Sequence, residues 1–572
     1  MNAARRPRAR NARYAVVLAF LLGGLVLLTA RSLYLQVVTS DYLQRQGNAR
    51  HSRVIKDNSH RGMILDRTGS PLAVSVPVDS VWAHPATLLD ERRQWPALAR
   101  LLEMSPGELA RLVERNAERE FMYLKRHVPP PVAERITALK MSGVSLLREY
   151  RRYYPAGSVA GHVLGFTNVD DHGLEGIELA YDNWLRAVPG TKRVLRDLHG
   201  NTVEIAESIR LPVPGRDLVV SLDRRIQYLA FRELKAAVAT HGAVAGSAVV
   251  LDVRTGEVLA MVNEPDFNPN NRAQLQSHVF RNRAVTDLFE PGSTLKPFTV
   301  ATALDSGKFK PTTLIDTGPG TMQLGGRTIR DIHNYGTISV ARVLEKSSNV
   351  GAAKIALALD KQSLWDTLRR LGFGQPTGSQ LPGEASGMLH PASSLGTRDL
   401  ASLAYGYGIS ATPLQIARAY AALANGGELL PVTLLKRDEP PSATQALTAA
   451  VARPLAHMLE AAVSEQGTGT AARVADYRVA GKTGTVRKLV AGGYSETDYL
   501  SWFAGFAPLN DPRLAMVVII DTPRRGGYFG GEVAAPVFGR VMAGALRLLD
   551  VAPDAPRTPT TRMVAATAGA GY

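Results

Sequence analysis

The chain has no cysteine among its 572 residues. That excludes disulfide staples, thiolate metal sites and a cysteine nucleophile, and it fits an exported bacterial protein. Zinc-finger spacing, RNP-type aromatic motifs and basic zipper regions are also missing. So are internal repeats and phosphate-cradling loops, and Gly318-Pro319-Gly320 reads as a plain turn. Acidic residues are in short supply: 51 Asp and Glu stand against 67 Lys and Arg, a net charge of +16. This balance suits an anionic partner, and without a nucleic-acid motif a lipid headgroup surface or an acidic polymer is favoured over nucleic acid.

What remains is ordinary for a folded protein. Apolar residues make up 45% and charged residues 21%, over a length that suits two or more domains. The first 13 residues carry Arg5, Arg6, Arg8, Arg10 and Arg13 and no acid. The uncharged, mostly apolar run 14–30 follows and spans about 25 Å as a helix, which Ser32–Val38 can lengthen. Leu28-Thr29-Ala30 is a poor cleavage site, so an uncleaved anchor over 14–38 is expected rather than a removed signal peptide. The arginines then predict a cytoplasmic tail over 1–13 and an external remainder.

Residues 51–216 hold no catalytic motif. Arg61-Gly62-Met63-Ile64-Leu65-Asp66-Arg67 predicts a short strand and a turn, in which Arg61, Asp66 and Arg67 form either a buried ion-pair latch or a solvated face. Leu88–Leu147 reads as a helical insert broken by Pro129-Pro130-Pro131. His162 has no partner at metal spacing and is expected to be a packed or capping histidine. Beyond Asp217, Ser247–Val253 and Glu257–Val262 predict a β-hairpin around Arg254-Thr255-Gly256. Ala480–Thr485 and Val517–Ile520 read as strands, and Thr412–Ala424 as a buried helix. Strands on either side of a helical middle predict an α+β fold. The stretch after Asp554 reads as a disordered tail.

The chemistry centres on Glu290-Pro291-Gly292-Ser293-Thr294-Leu295-Lys296-Pro297. If a helix starts here, Ser293 and Lys296 share a face, and the lysine can act as base for a hydroxyl at the positive end of the helix dipole. S-x-x-K alone is weak evidence, with roughly two chance matches expected in a chain this long. Here it precedes Ser347-Ser348-Asn349 and Lys482-Thr483-Gly484, each pattern occurring once and in that order. The three together mark penicillin-binding proteins and serine β-lactamases.

With RGMILDRTGSPLA, RYYPAGSVAGHVLGF, GYGISATPLQIARAYAALANGG and SWFAGFAP, the chain resembles the class B penicillin-binding proteins, of the septal FtsI type, from the anchor to about Leu549. The resemblance implies an antiparallel sheet flanked by helices, with a helical subdomain, over 217–550. It also implies an elongated α+β pedestal or dimerisation-like module over 39–216 and a disordered tail over 551–572. The implied activity is a D,D-transpeptidase that cross-links peptidoglycan stem peptides on glycan strands derived from lipid-linked precursors. By the same resemblance Ser293 is the nucleophile and Lys296 its base. Ser347 relays a proton, Lys482 supplies positive potential, and Asn349 holds Lys296 and the substrate amide.

Thr483 and Thr485 would bind the terminal carboxylate, and Gly484 would let the substrate backbone approach. The N–H groups of Ser293 and Thr485 would form the oxyanion hole. Tyr499, Tyr528 and Phe529 either line an apolar wall of the cleft or pack in the core. No metal or organic cofactor is implied. The implied partners are β-lactams, a SEDS-type glycosyltransferase and other divisome membrane proteins, at the division site of the inner membrane. An elongation-specific transpeptidase, a β-lactamase and a catalytically silent divisome scaffold are the alternative readings.

Overall fold

The computed structural model describes residues 8–42, 52–196, 202–271 and 277–555. Most of the tail expected over 551–572, from 556 onward, lies outside them, as do the first seven residues. Helix α1, Arg8–Leu33, holds most of the apolar stretch. Ala12–Val38 is 27 residues long with a mean hydropathy of 2.2, long and apolar enough to cross a bilayer. Its large side chains face outward (Phe20 is 84% exposed), unlike those of a core helix.

The rest forms two compact units whose segments alternate along the chain. The first takes residues 76–151 and 187–214 together with the N-terminal segment. Its core packs Leu88, Trp95, Leu98, Leu109 and Val113 from short helices against Met122 and Leu124. Pro106–Arg115 is a helix because Ser105 and Glu108 form a reciprocal capping box and Pro106 sits in the first turn. The stretch expected to be helical from 88 to 147 also contains the strand Met122–Val128, paired antiparallel with Asp79–Ala83. In Met122-Tyr123-Leu124 the buried side chains alternate, a period of two that gives a strand rather than a helix.

The second unit comprises 61–75, 152–186 and everything from 215 onward. It differs from the continuous boundary expected at 216/217. The reason is that Ile64, Leu72, Tyr154, Val163 and Ile177 are core residues of this unit. Arg61 adds a buried latch. Its guanidinium donates to Glu178 Oε2 (2.7 Å), Asp182 Oδ1 (2.6 Å) and the carbonyl of Glu178 (2.8 Å). Arg152 donates to the other oxygen of Glu178 (2.6 Å). Of the two readings for Arg61, the buried ion pair is the observed one. Asp66 instead organises the next turn, accepting from the N–H groups of Thr68 and Ser70 (2.8 Å each).

Helix α2, Arg224–His241, starts where Asp223 accepts from the N–H of Arg225 and stops at left-handed Gly242. The sheet that follows has β1 Ala245–Asp252, β2 Val258–Glu264, β3 Ala480–Val490, β4 Gly493–Ala507 and β5 Leu514–Asp521. Its order is β2-β1-β5-β4-β3, antiparallel throughout. Alternate residues of each strand serve opposite faces. Ala248 and Val250 pack with Ile226, Leu234, Phe538 and Val541, so α2 and α6 (Ala535–Leu548) cover one face. Val249 and Leu251 pack with Leu414, Ile416 and Tyr420 of α5 (Pro413–Ala424), on the other. Between β2 and β3 the chain is mainly helical and includes α3 (Lys296–Asp305) and α4 (Asn349–Leu357). β3 is an edge strand.

Residues 551–555 do not behave as the start of a free tail. Asp554 accepts from the N–H groups of Arg478, Leu509 and Asn510, which fastens the chain to this unit.

Candidate active site

Ser293 lies in a tight 3-10 turn, Gly292–Leu295, that feeds into α3 at Lys296. The serine therefore precedes the helix by one turn, at its positive end. Two features force this turn. Thr294 donates its hydroxyl to the carbonyl of Pro291 (2.8 Å), and Gly292 is left-handed, with φ of 54°. A Cβ on Gly292 would stand 2.2 Å from Val486 Cγ2, so the turn lies directly against β3. Ser293 itself is half-buried.

Lys296 is fully buried. Its Nζ donates to Asn349 Oδ1 (2.7 Å) and to the carbonyl of Ser347 (2.5 Å), and it lies 3.2 Å from Ser347 Oγ. No hydrogen bond joins it to Ser293, which lies in the turn before the helix and not on the helix itself. Ser347 holds φ of 60°, a strained conformation for a residue with a side chain, costing roughly 1–3 kcal/mol. Burial pushes the Lys296 ammonium well below the usual lysine range, the charge of Lys482 adds to this, and Asp331 opposes it. Lys482 is also fully buried, lies 3.1 Å from the carbonyl of Thr483, and is pushed down to about 7 by burial.

Asp331 was not legible as a site residue. Its carboxylate accepts from Ser348 Oγ (2.6 Å) and from the N–H groups of Asn349 (2.5 Å) and Val350 (3.0 Å) at the start of α4. This fixes the loop that presents Ser347 and Asn349 to Lys296. A single Asp in Arg330-Asp331-Ile332 carries no sequence signal. Thr468, equally silent, lies 2.7 Å from Thr483, hydroxyl to hydroxyl.

On β3, Thr483 is opposite Phe503 and Thr485 opposite Ser501. Thr485 Oγ1 accepts from the N–H of Gly530 (2.9 Å). A Cβ on Gly484 would meet Pro291 O, Thr294 Cγ2 and Trp502 Cβ, each at 3.1 Å. A side chain here would be tight where the serine turn packs on the strand, in addition to the expected approach of substrate. The rings of Tyr499 and Tyr528 stack at 4.1 Å, and Tyr528 and Phe529 at 4.6 Å. With Tyr528 38% and Phe529 40% exposed, these two rings line a surface rather than fill the core. His162 is buried and bonded through Nε2 to the carbonyl of Val279 (2.9 Å), a packed histidine as expected.

The serine turn, two buried lysines and an edge strand thus come together at one place, and the comparisons identify the family. Residues 246–543 match the family model "Penicillin binding protein transpeptidase domain", and 56–220 match "Penicillin-binding Protein dimerisation domain". The chain is 41% identical to the peptidoglycan D,D-transpeptidase FtsI of Escherichia coli K12, covering 95% of this chain and 93% of that protein. The structure of the transpeptidase domain of Burkholderia pseudomallei penicillin-binding protein 3 is 43% identical. It covers 59% of this chain and 98% of its own, with a TM-score of 0.55. Penicillin-binding protein 3 from Mycobacterium tuberculosis, complexed with aztreonam, is 28% identical over 88% of this chain and 99% of its own, with a TM-score of 0.69. The chain belongs to the class B penicillin-binding proteins of the FtsI type.

Proposed function

We propose that this chain is a serine D,D-transpeptidase that cross-links peptidoglycan stem peptides during septal wall synthesis. The observation that carries the reading is Lys296: buried, driven toward its neutral form, and held beside the serine turn by Asn349 and Ser347. A neutral amine has two N–H bonds, which satisfy Asn349 Oδ1 and the Ser347 carbonyl. Its lone pair is left for a hydroxyl proton.

In this reading Ser293 Oγ gives its proton to Lys296 and attacks the carbonyl between the two terminal D-alanines of the donor stem. The N–H groups of Ser293 and Thr485 stabilise the oxyanion, and losing one such donor costs roughly 10²–10³ in rate. Ser347 passes a proton to the departing D-alanine, with Lys482 keeping the local potential positive. The hydroxyls of Thr483 and Thr485 hold the terminal carboxylate. Edge strand β3 offers unpaired backbone groups to an extended peptide. An amine of a neighbouring stem then attacks the acyl-enzyme and releases Ser293. A β-lactam enters by the same attack and leaves slowly, because hydrolysis needs a separate base.

Helix α1 anchors the chain in the inner membrane, with the arginine-rich end in the cytoplasm and the catalytic unit in the periplasm, at the division site. The motif-free N-terminal module would dock divisome membrane proteins and a separate SEDS-type glycosyltransferase. The test is intact mass after brief exposure to benzylpenicillin, beside Ser293→Ala. A stoichiometric adduct that persists for minutes and is absent from the variant is expected. An adduct that turns over would make the chain a β-lactamase, and no adduct on folded protein would make it a scaffold.

A further inference from the structure

A groove of about 920 Å³ opens on the Asn349 side of the serine turn, and its walls carry a charge that the catalytic steps do not use. Four arginines line it. Arg327 and Arg330 come from the hairpin of Thr321–Leu324 and Arg327–Arg330, Arg398 from the helix Thr397–Leu403, and Arg487 from β3 beyond the Lys482-Thr483-Gly484 motif. All four are exposed.

Among the described residues none of the four makes an ion pair. The single carboxylate on the wall, Asp399, accepts from the N–H of Gly396 at the start of its own helix (3.0 Å). Arg398 donates to the carbonyl of Gly325 (3.2 Å), a neutral partner. Tyr407 and Tyr494 complete one side, their rings 5.6 Å apart. The acid behind them, Glu290, accepts on Oε1 from Tyr494 Oη (3.0 Å) and the N–H of Gly408 (2.8 Å). Its Oε2 is buried, without a hydrogen-bond partner among the described residues, and makes no ion pair with the arginines. Four guanidiniums at one groove repel one another, and the fork geometry of arginine is matched by carboxylates.

We infer that this groove seats the carboxylate-bearing part of a peptidoglycan stem peptide. The arginines bind its acidic groups while Asn349, at the groove's edge, aligns the reacting end toward Ser293. The inference rests on the transpeptidase reading and names its substrate contact. The same chemistry comes from two sources, the donor stem that acylates Ser293 and the acceptor stem that resolves the ester.

The experiment uses the full chain in detergent and two synthetic stem-peptide thioesters, identical except that their side carboxylates are free in one and amidated in the other. Acylation forms the Ser293 ester C–O bond and breaks C–S, with the thiol leaving protonated, and is followed by intact mass. Partition between hydrolysis and aminolysis is measured with free and amidated acceptor peptides. Arg327→Gln with Arg398→Gln is expected to slow the free-acid donor about tenfold, as loss of charge-assisted hydrogen bonds does. The amidated donor and benzylpenicillin should react as before, and Arg327→Lys with Arg398→Lys should recover part of the loss. A loss confined to the free-acid acceptor would equally support the groove and assign it to the acceptor strand.

Equal handling of free and amidated probes by the wild type, or the same discrimination in the variant, would overturn the inference while penicillin labelling still upheld the enzyme. Wild-type protein acylated by neither penicillin nor thioester would instead bring down the transpeptidase reading itself.

Discussion

Lys296 and Lys482 are both fully buried, and among the described residues neither ammonium pairs with a carboxylate. Burial lowers the proton affinity of Lys296 most, the charge of Lys482 lowers it further, and Asp331 raises it. Acylation needs Lys296 neutral, so its rate falls on the acidic side as Lys296 takes up a proton. Replacing Lys482 by Gln removes a like charge and makes Lys296 easier to protonate, so the acidic limb should move to higher pH. Asp331→Asn removes an opposing charge, and the limb should move to lower pH. The check is the pH profile of benzylpenicillin acylation in the two variants. Shifts in the same direction, or none, would remove Lys296 as the base.

The contact between Gly292 and Val486 yields a second expectation. Gly292→Ala should abolish labelling almost entirely, since its Cβ falls 2.2 Å from Val486 Cγ2 and the backbone is left-handed. Adding Val486→Ala removes the clash and leaves only the conformational cost, about 1–2 kcal/mol. The double variant should therefore recover much of the rate lost by the single one. If it stays as inactive as Gly292→Ala, the turn is not limited by this contact.

The candidate motifs were legible because each is a short run of chain: Ser293 and Lys296 on a turn and the helix it feeds, Lys482 to Thr485 on one strand. The hairpin at Arg254-Thr255-Gly256 and the buried helix ending at Ala424 were legible from apolar pattern and turn chemistry. Asp331 was not, because its role comes from folding back onto the α4 N-terminus, a tertiary relation without local period. The interleaving of the two units was hidden for the same reason. Arg61 could be named as a candidate latch, but its partners Glu178 and Asp182 lie far along the chain.

That latch predicts a stability effect separate from chemistry. Arg61 and Glu178 have no exposed side-chain surface, so Arg61→Met leaves a buried carboxylate with only Arg152 to balance it. Breaking a buried pair this way costs about 3–5 kcal/mol, and the second arginine should keep the loss near the lower end. Urea titration of the variant should show the destabilisation, while penicillin labelling at low temperature stays near normal. A loss of labelling without a loss of stability would assign Arg61 to the site instead.

The stacked rings of Tyr528 and Phe529 are partly exposed, with Ser501 Oγ donating to the carbonyl of Tyr528 (2.7 Å). Gly530, the next residue along, donates to Thr485, so the rings are tethered beside the strand expected to bind the substrate carboxylate. A ring that already pays its exposure to water gains about 0.5–1.5 kcal/mol when an aromatic group stacks on it. Tyr528→Ala with Phe529→Ala should thus slow acylation by benzylpenicillin roughly three- to tenfold. 6-Aminopenicillanic acid, which lacks the arylacetyl group, should lose little, and thermal stability should hardly change because the rings are not core. An equal loss for both compounds would mean that the rings shape the site instead of contacting the acyl side chain. A large drop in stability would return them to the core-packing role.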